Sequence, residues 1–391
     1  MNANPRSIST RPSFLQDRAV GALHGAAIGD ALGGATEGYN PDQIRERWGG
    51  WVRGIVPPYH TDWKTARPHS PLHKGDGHIT DDTIMTQLLG KVYNKVQRHI
   101  TAYDIADHLV PEMLSTVMWI PELEQETVPL LRVFLAEKYL VLRLQWAHVD
   151  PREAGVGNAV NCGAAMYVAP TGIVNAGDPD GAYAEAIDIT GAHQLSYGRE
   201  AAGVMAAAVA AAAAPNATLD DVFDHVLRLA KDGTRDAIAS VLDAATRFDH
   251  WTDAVTSGGL RDAIRPYDTV ADTYRDQGLG ARRPSRIHSI EELPIALGML
   301  AISKGELMEA VLGGVNYGRD SDSIASMAGA IAGALKGSAS TPIDLVDEIS
   351  SASKTDLTGP AIALAETAQA IRVSDLRRQS ELREVAESVL S

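Results

Sequence analysis

Residues 21–38 read GALHGAAIGDALGGATEG, and residues 313–337 read GGVNYGRDSDSIASMAGAIAGALKG. Gly21, Gly25, Gly29 and Gly33 recur every four residues in the first stretch, as do Gly329, Gly333 and Gly337 in the second. That spacing stacks the glycines on one face of a helix. Each glycine inside a helix costs about 1 kcal/mol relative to alanine, so their accumulation predicts backbones in close approach. Asp30 and Glu37 interrupt the first stripe and no long apolar span surrounds it, which argues against a membrane helix. Both helices are expected at the centre of a tight bundle, holding the acidic residues at their ends in place.

Outward from these stretches the pattern stays helical. Periodic segments separated by short Gly/Pro/Asp/Asn breaks predict helices over 17–36, 82–98, 101–116, 125–146, 180–192, 199–214, 219–231, 233–247, 290–302, 305–316 and 323–336. Strand-like alternation is nearly absent, with no hairpin signal of the Asn-Gly type. The expected fold class is all-α, and no 20–50-residue self-similarity supports a solenoid. Residues 1–15 are expected to form a flexible tail and 16–391 one domain, to which 340–391 add C-terminal helices. Leu376, Leu382, Val385 and Val389 give the last of these an apolar stripe, expected to pack on the domain. Two stretches are irregular: 48–79, rich in Gly, Pro, His and Trp, and the arginine-bearing 265–288.

The 391 residues are 45% hydrophobic and 22% charged, enough for a sizeable buried core. A net charge of −15 argues against a nucleic-acid surface and means that an anionic substrate needs metal ions or a local basic patch. Cys162 is the only cysteine, which excludes intramolecular disulfides and cysteine-based zinc sites and fits a reducing compartment. The N-terminus lacks the apolar core of a signal peptide, and the alanine-rich run from Ala201 to Pro215 reads as a buried helix. A soluble cytoplasmic protein is expected.

Two motifs carry chemistry. ITDDTIMTQLL, residues 79–89, sets Thr80, Asp81 and Asp82 immediately before a helical pattern. Alone this is a helix cap with acids favoured by the dipole, although three consecutive oxygen-bearing side chains exceed what one cap needs. In RDSDS, residues 319–323, Asp320, Asp322 and Ser323 again sit where a glycine-containing turn enters a helix. If the two ends meet, four carboxylates converge, and their repulsion demands cations. All-oxygen ligands select a hard ion, Mg²⁺ with Mn²⁺ as a substitute.

The opening helix, TDDT at 80–83, NCGAAMYVAPTG at 161–172 and RDSDSIASMAGAIAGALKG at 319–337 together resemble the ADP-ribosylglycohydrolase family, in order and separation. The resemblance implies an orthogonal all-helical bundle with a dinuclear magnesium cleft and an ADP-ribosyl substrate, free or protein-linked. Carried over by position, the ligands are Thr80, Asp81, Asp82, Asp320, Asp322 and Ser323. Glu37 falls on a glutamate that gates the cleft or acts in catalysis; with Asp82 and Asp320 it completes the expected catalytic set. Asn161, Gly163 and Met166 fall on the substrate loop, with His193 and Tyr197 expected near the phosphates or distal base. This chain departs from the pattern at Arg319, where many members have glycine, and at Tyr167, where arginine is common. Arg319 is expected to bind a phosphate or carboxylate of the substrate or else to offset local negative charge. Loop 48–79 has no counterpart and is expected to set substrate choice.

Other features weigh less. His60, His69, His73 and His78 fit no standard zinc spacing, but with Lys64, Arg67 and Lys74 they offer a cationic rim for phosphate. Cys162 reads as a small buried residue. GVGNAV at 155–160 lacks the last glycine of a dinucleotide fingerprint and a preceding strand. Two rival functions stay open: hydrolysis of a smaller ribosyl compound, capped by Trp51, Tyr59 and Trp63, and a non-catalytic crystallin-like protein on the same fold.

Overall fold

The computed structural model describes residues 12–63, 72–267 and 288–390. Its opening helix, Phe14–Gly33, begins earlier than expected because Ser13 accepts the amide of Gln16 as a side-chain N-cap. Residues 12–15 of the expected tail therefore belong to the fold, and 1–11 lie outside the described residues. The helix packs antiparallel along Ser321–Lys336 with almost no space between backbones. A Cβ placed on Gly21 would stand 2.3 Å from the carbonyl oxygen of Gly333, one on Gly25 2.1 Å from that of Gly329, and one on Gly29 2.2 Å from that of Ala325. Only glycine permits this approach. Both helices are buried on nearly every face, as is Ser196–Ala212, which contains the alanine run.

The remaining helices follow the sequence pattern closely. Pro179–Thr190, Leu219–Leu229, Asp232–Ala245, His288–Ile302 and Leu307–Tyr317 lie within a few residues of their expected spans. Pro41–Trp48, set by an Asn40/Gln43 capping box, and Trp251–Ser257 fall where no helix was expected. Among the described residues no helix is long and apolar enough to cross a membrane.

Two expectations fail. The span 125–146 is not one helix: β1 (Met118–Ile120) pairs antiparallel with β2 (Gln125–Thr127), and the helix begins only at Leu135. Pro129 has no amide to donate and steers Val128 away from helical torsions, so the chain stays extended there. The hairpin buries Glu122 at its turn, a placement that matters below. The C-terminal region forms two helices, Ile343–Ser353 and Gly359–Leu390, and the inner part of the second buries Leu364, Ala368 and Ile371. No glycine or proline turns the chain after Pro360, so the helix runs on and leaves Leu376, Leu382, Val385 and Val389 exposed rather than packed.

His99 fastens that helix to the body. Its Nδ1 lies 2.7 Å from Glu185 Oε2 and its Nε2 3.0 Å from Asp375 Oδ2. The hydrogen bond with Glu185 raises the imidazole pKa to about 9, against burial and with help from Asp375. A raised folded-state value means that the stabilisation is complete below the unfolded pKa of about 6.5 and is lost as pH rises through about 9. His99→Gln is therefore expected to lower the melting temperature most near pH 6, with the gap to wild type closing above pH 9. A pH-independent gap in thermal melts would show that the imidazole charge plays no part.

Candidate metal centre

The glycine contact decides where the acidic termini meet. Antiparallel packing sets the end of the opening helix beside the start of Ser321–Lys336, where a Cβ on Gly33 would lie 2.5 Å from Asp322 Cα. Thr36 Oγ1 lies 2.7 Å from the Val315 carbonyl oxygen and 2.8 Å from Ser321 Oγ, and Ser321 Oγ donates to the Gly33 carbonyl. Gly38 N donates to Arg319 O, and Arg319 N to Tyr39 O. The turn that carries Glu37 is thereby fixed to the loop that carries Asp320. Gly318 has φ +72° against the Tyr39 carbonyl, and Arg319 has φ +59°. Glycine would meet that left-handed geometry at position 319 without strain.

Asp30, in the last turn of the opening helix, joins the third segment. Its Oδ2 accepts the amides of Thr80 (3.0 Å) and Thr83 (3.1 Å) and the Thr83 hydroxyl. It caps Asp81–Val96 from another helix, while Thr80 accepts the Asp82 amide. The other oxygen of Asp30 and Oδ1 of Asp82 are buried without a hydrogen-bond partner. Asp30, Asp82 and Asp322 bring ligand oxygens within 4.8 Å of one another, and so do Glu37, Asp320 and Asp322. Burial, with Asp322 and Asp30 adding, holds the Asp82 carboxyl well above the ordinary range. Asp322 is pushed up to about 7 by burial despite Lys74, and Asp30 to about 6, also by burial. Buried carboxyls with orphaned oxygens and no soft donor among them are a donor set that a hard divalent cation fits.

Two cations flank the cluster. Lys74, from loop 48–79, pairs with Glu37 and donates to Asp322 Oδ2 at 3.3 Å. Arg132 is buried, paired with the hairpin's Glu122, and 2.9 Å from Asp81 Oδ1. Asp81 thus faces Arg132, apart from the two carboxylate groups that Asp82, Asp320 and Asp322 help to form.

A family model described as ADP-ribosylglycohydrolase matches residues 11–379. The chain belongs to the ADP-ribosylglycohydrolase family. Its members are metal-dependent hydrolases that act on ADP-ribosylated substrates. A solved structure titled "ADP-ribosylglycohydrolase-related protein complex" is similar to 90% of this chain over 99% of its own, with a TM-score of 0.58 and 18% identity. That likeness bears on the fold. No curated protein matches the chain.

The other residues singled out in the sequence separate into near and far. Cys162 Sγ donates to Asp320 Oδ2 (3.2 Å) and lies 3.5 Å from Ser323 Oγ, so the loop NCGAAMYVAPTG lies against the acidic cluster. Burial, then Asp320, raises the Cys162 thiol pKa, which keeps it an unreactive thiol. Asn161 Oδ1 accepts from Gly163 N and from Gln194 Nε2, and Met166 is buried. A side chain at Gly163 would meet the Glu137 carboxylate at 2.4 Å. His193 is 0% exposed, between Tyr167 OH at 3.1 Å and Glu137 Oε1 at 3.2 Å, so it braces the loop from inside. Tyr197 lies at the surface beside Gly233. Arg319 Nε is 2.6 Å from Glu291 Oε1, which Tyr317 also contacts, so its guanidinium is seated on a buried protein acid.

The described parts of loop 48–79, residues 48–63 and 72–79, are built into the domain. Trp51 packs edge-on against Trp251, and Tyr59 stacks on Tyr39 at 3.5 Å. His73 lies 2.8 Å from both Glu124 and Asp76, and no histidine joins a metal-spaced group among the described residues. Lys64, Arg67 and His69 of the expected cationic rim lie outside the described residues. Sequence reasoning missed Asp30, Arg132, Glu122 and Glu292. The last is buried with Cys162 and Asp320, its pKa raised by burial and then by Asp320. For Asp30 a signal existed: one acid inside a Gly/Ala stripe expected to be buried.

Proposed function

We propose that this protein hydrolyses the glycosidic bond at ribose C1 of an ADP-ribosyl substrate with two divalent cations, Mg²⁺ or Mn²⁺. The observation that carries this reading is the convergence of buried carboxylates from three chain segments, with orphaned oxygens on Asp30 and Asp82. Asp82, Asp322 and Asp30 would hold one ion; Asp320, Asp322 and Glu37 the other; Thr80 and Ser323 stand beside them with neutral oxygens. When bound, the ions supply positive charge that orients the ribose hydroxyls and activates water. The carboxylates also stabilise the oxocarbenium character that develops on the sugar as the C1 bond breaks. Glu37, at the rim, is also the acid/base candidate: once released from Lys74 it can hold the ion through one carboxylate oxygen and move a proton at the other. The contacts of buried Cys162 and half-buried Asn161 hold the substrate loop against this centre.

The repulsion among these carboxylates argues against a purely structural protein, which gains nothing from it. Trp51 and Tyr59 are taken up in packing, which removes the main support for a capped small ligand. Turnover is expected on at least one of ADP-ribosyl-arginine, ADP-ribosyl-serine or O-acetyl-ADP-ribose in the presence of Mg²⁺ or Mn²⁺, and none with chelator. Hydrolysis of simple nucleosides alone would replace the substrate assignment, and chelator-resistant turnover would sink the metal role.

A further inference from the structure

Lys74 sits on two of the three carboxylates that group at the outer position, Glu37 and Asp322. Its approach is fixed by the backbone around it. His73 N donates to the Glu122 carbonyl, Asp76 N to that of Val56, and His78 N to that of Gly75. Gly75 packs where a Cβ would stand 2.7 Å from Pro58 N, and Asp76 and Gly77 both have positive φ. The His73 ring is held by Glu124 and Asp76 at 2.8 Å each. A lysine held on both sides in this way delivers its ammonium to one place, with its side chain only 21% exposed. Arg132 supplies the contrast: it pairs with Asp81 and Glu122 and leaves both carboxylate groups uncovered.

We propose that Lys74 is a tethered cation that competes with the second metal ion, so that the Asp30/Asp82/Asp322 position fills first and the Glu37/Asp320/Asp322 position fills only when Lys74 lets go. This rests on the metal-centre reading above. An ammonium seated on these two carboxylates repels a divalent ion placed between them and neutralises the charge that would hold it. Neutralising Lys74 removes the competitor and leaves the ligands in place. The occupancy of the outer position, and with it the release of Glu37, is thereby coupled to the segment 72–79.

The test is Mn²⁺ binding to the full chain, followed by titration calorimetry and electron paramagnetic resonance. Wild type is expected to bind one ion tightly, with a mononuclear spectrum, and a second at least ten-fold more weakly. Lys74→Met and Lys74→Gln are expected to tighten the second site at least ten-fold and to show an exchange-coupled pair at concentrations where wild type shows none. Lys74→Arg, which keeps the charge, should stay weak at that site. Two equally tight ions in wild type would overturn the proposal without recourse to any variant, and so would unchanged second-site affinity in folded Lys74→Met or Lys74→Gln. No ion in any of the proteins would overturn the metal centre itself, and the competition with it.

Discussion

Asp82→Asn is expected to lower kcat on the order of 10³-fold while making the metal-free protein more stable. The two effects share one cause. Asp82 is buried among Asp30, Asp81, Asp320 and Asp322, and each of these charges raises the cost of ionising it. Asparagine keeps the shape and removes one of the repelling charges, so in chelator the variant should melt above wild type. A carboxyl whose folded pKa is raised is destabilising once ionised. Asp82, raised well above 3.8 by burial and then by its neighbours, costs nothing well below pH 4, and its penalty grows as pH rises from there. The gain from Asp82→Asn without metal should therefore widen as pH rises above about 4. Saturating Mg²⁺ should reverse the order, because cations bound by the wild-type ligands stabilise it and the variant binds them poorly. Thermal melts of both proteins across pH, with and without Mg²⁺, check this. A variant that melts below wild type in chelator at pH 7 would mean that the cluster is not under electrostatic strain.

The other large effect is on the fold. Gly29→Ala adds one methyl group where its carbon would stand 2.2 Å from the Ala325 carbonyl oxygen and 2.5 Å from Ser326 N. Both are backbone atoms of a buried helix and cannot rotate aside. A cost of about 3 kcal/mol or more is expected, with loss of soluble protein as the extreme outcome. Gly90→Ala is the control. Gly90 lies inside Asp81–Val96 with nothing within 4 Å of an added Cβ, so helix propensity alone should stabilise that variant by about 0.5–1 kcal/mol. Denaturant melts of the two alanine variants should move in opposite directions. Equal shifts would mean that the two central helices stand further apart than the structure places them.

The proposed metal centre also depends on that contact. Gly33 and Asp322 meet because the helices run antiparallel in a single register, so a spreading of the pair would move the ligand carboxylates along with the core. Gly33→Ala is a smaller perturbation at the same junction and should weaken metal binding along with stability.

Sequence alone determined the helical class, the two central helices and the two acidic motifs at helix starts. Each rests on local chemistry: a four-residue glycine period, the hydrophobic pattern, and acids placed at helix starts. It misread 125–146, where Pro129 outweighed an otherwise helical composition, and the last helix, whose apolar stripe says nothing of where the domain ends. Thr80, Asp81, Asp82, Asp320, Asp322 and Ser323 could be proposed from their motifs because spacing within one segment is fixed by the backbone. Asp30, Arg132 and the place of Lys74 could not. Asp30 becomes part of the site because a helix fifty residues further on turns its amides toward it. Arg132 draws Asp81 aside only because a short hairpin buries Glu122 beside them. Arg319, open in sequence to a substrate role, is seated instead on Glu291. Ion pairing between distant segments depends on how helices cross, and the crossing is set by packing between surfaces that no local pattern records.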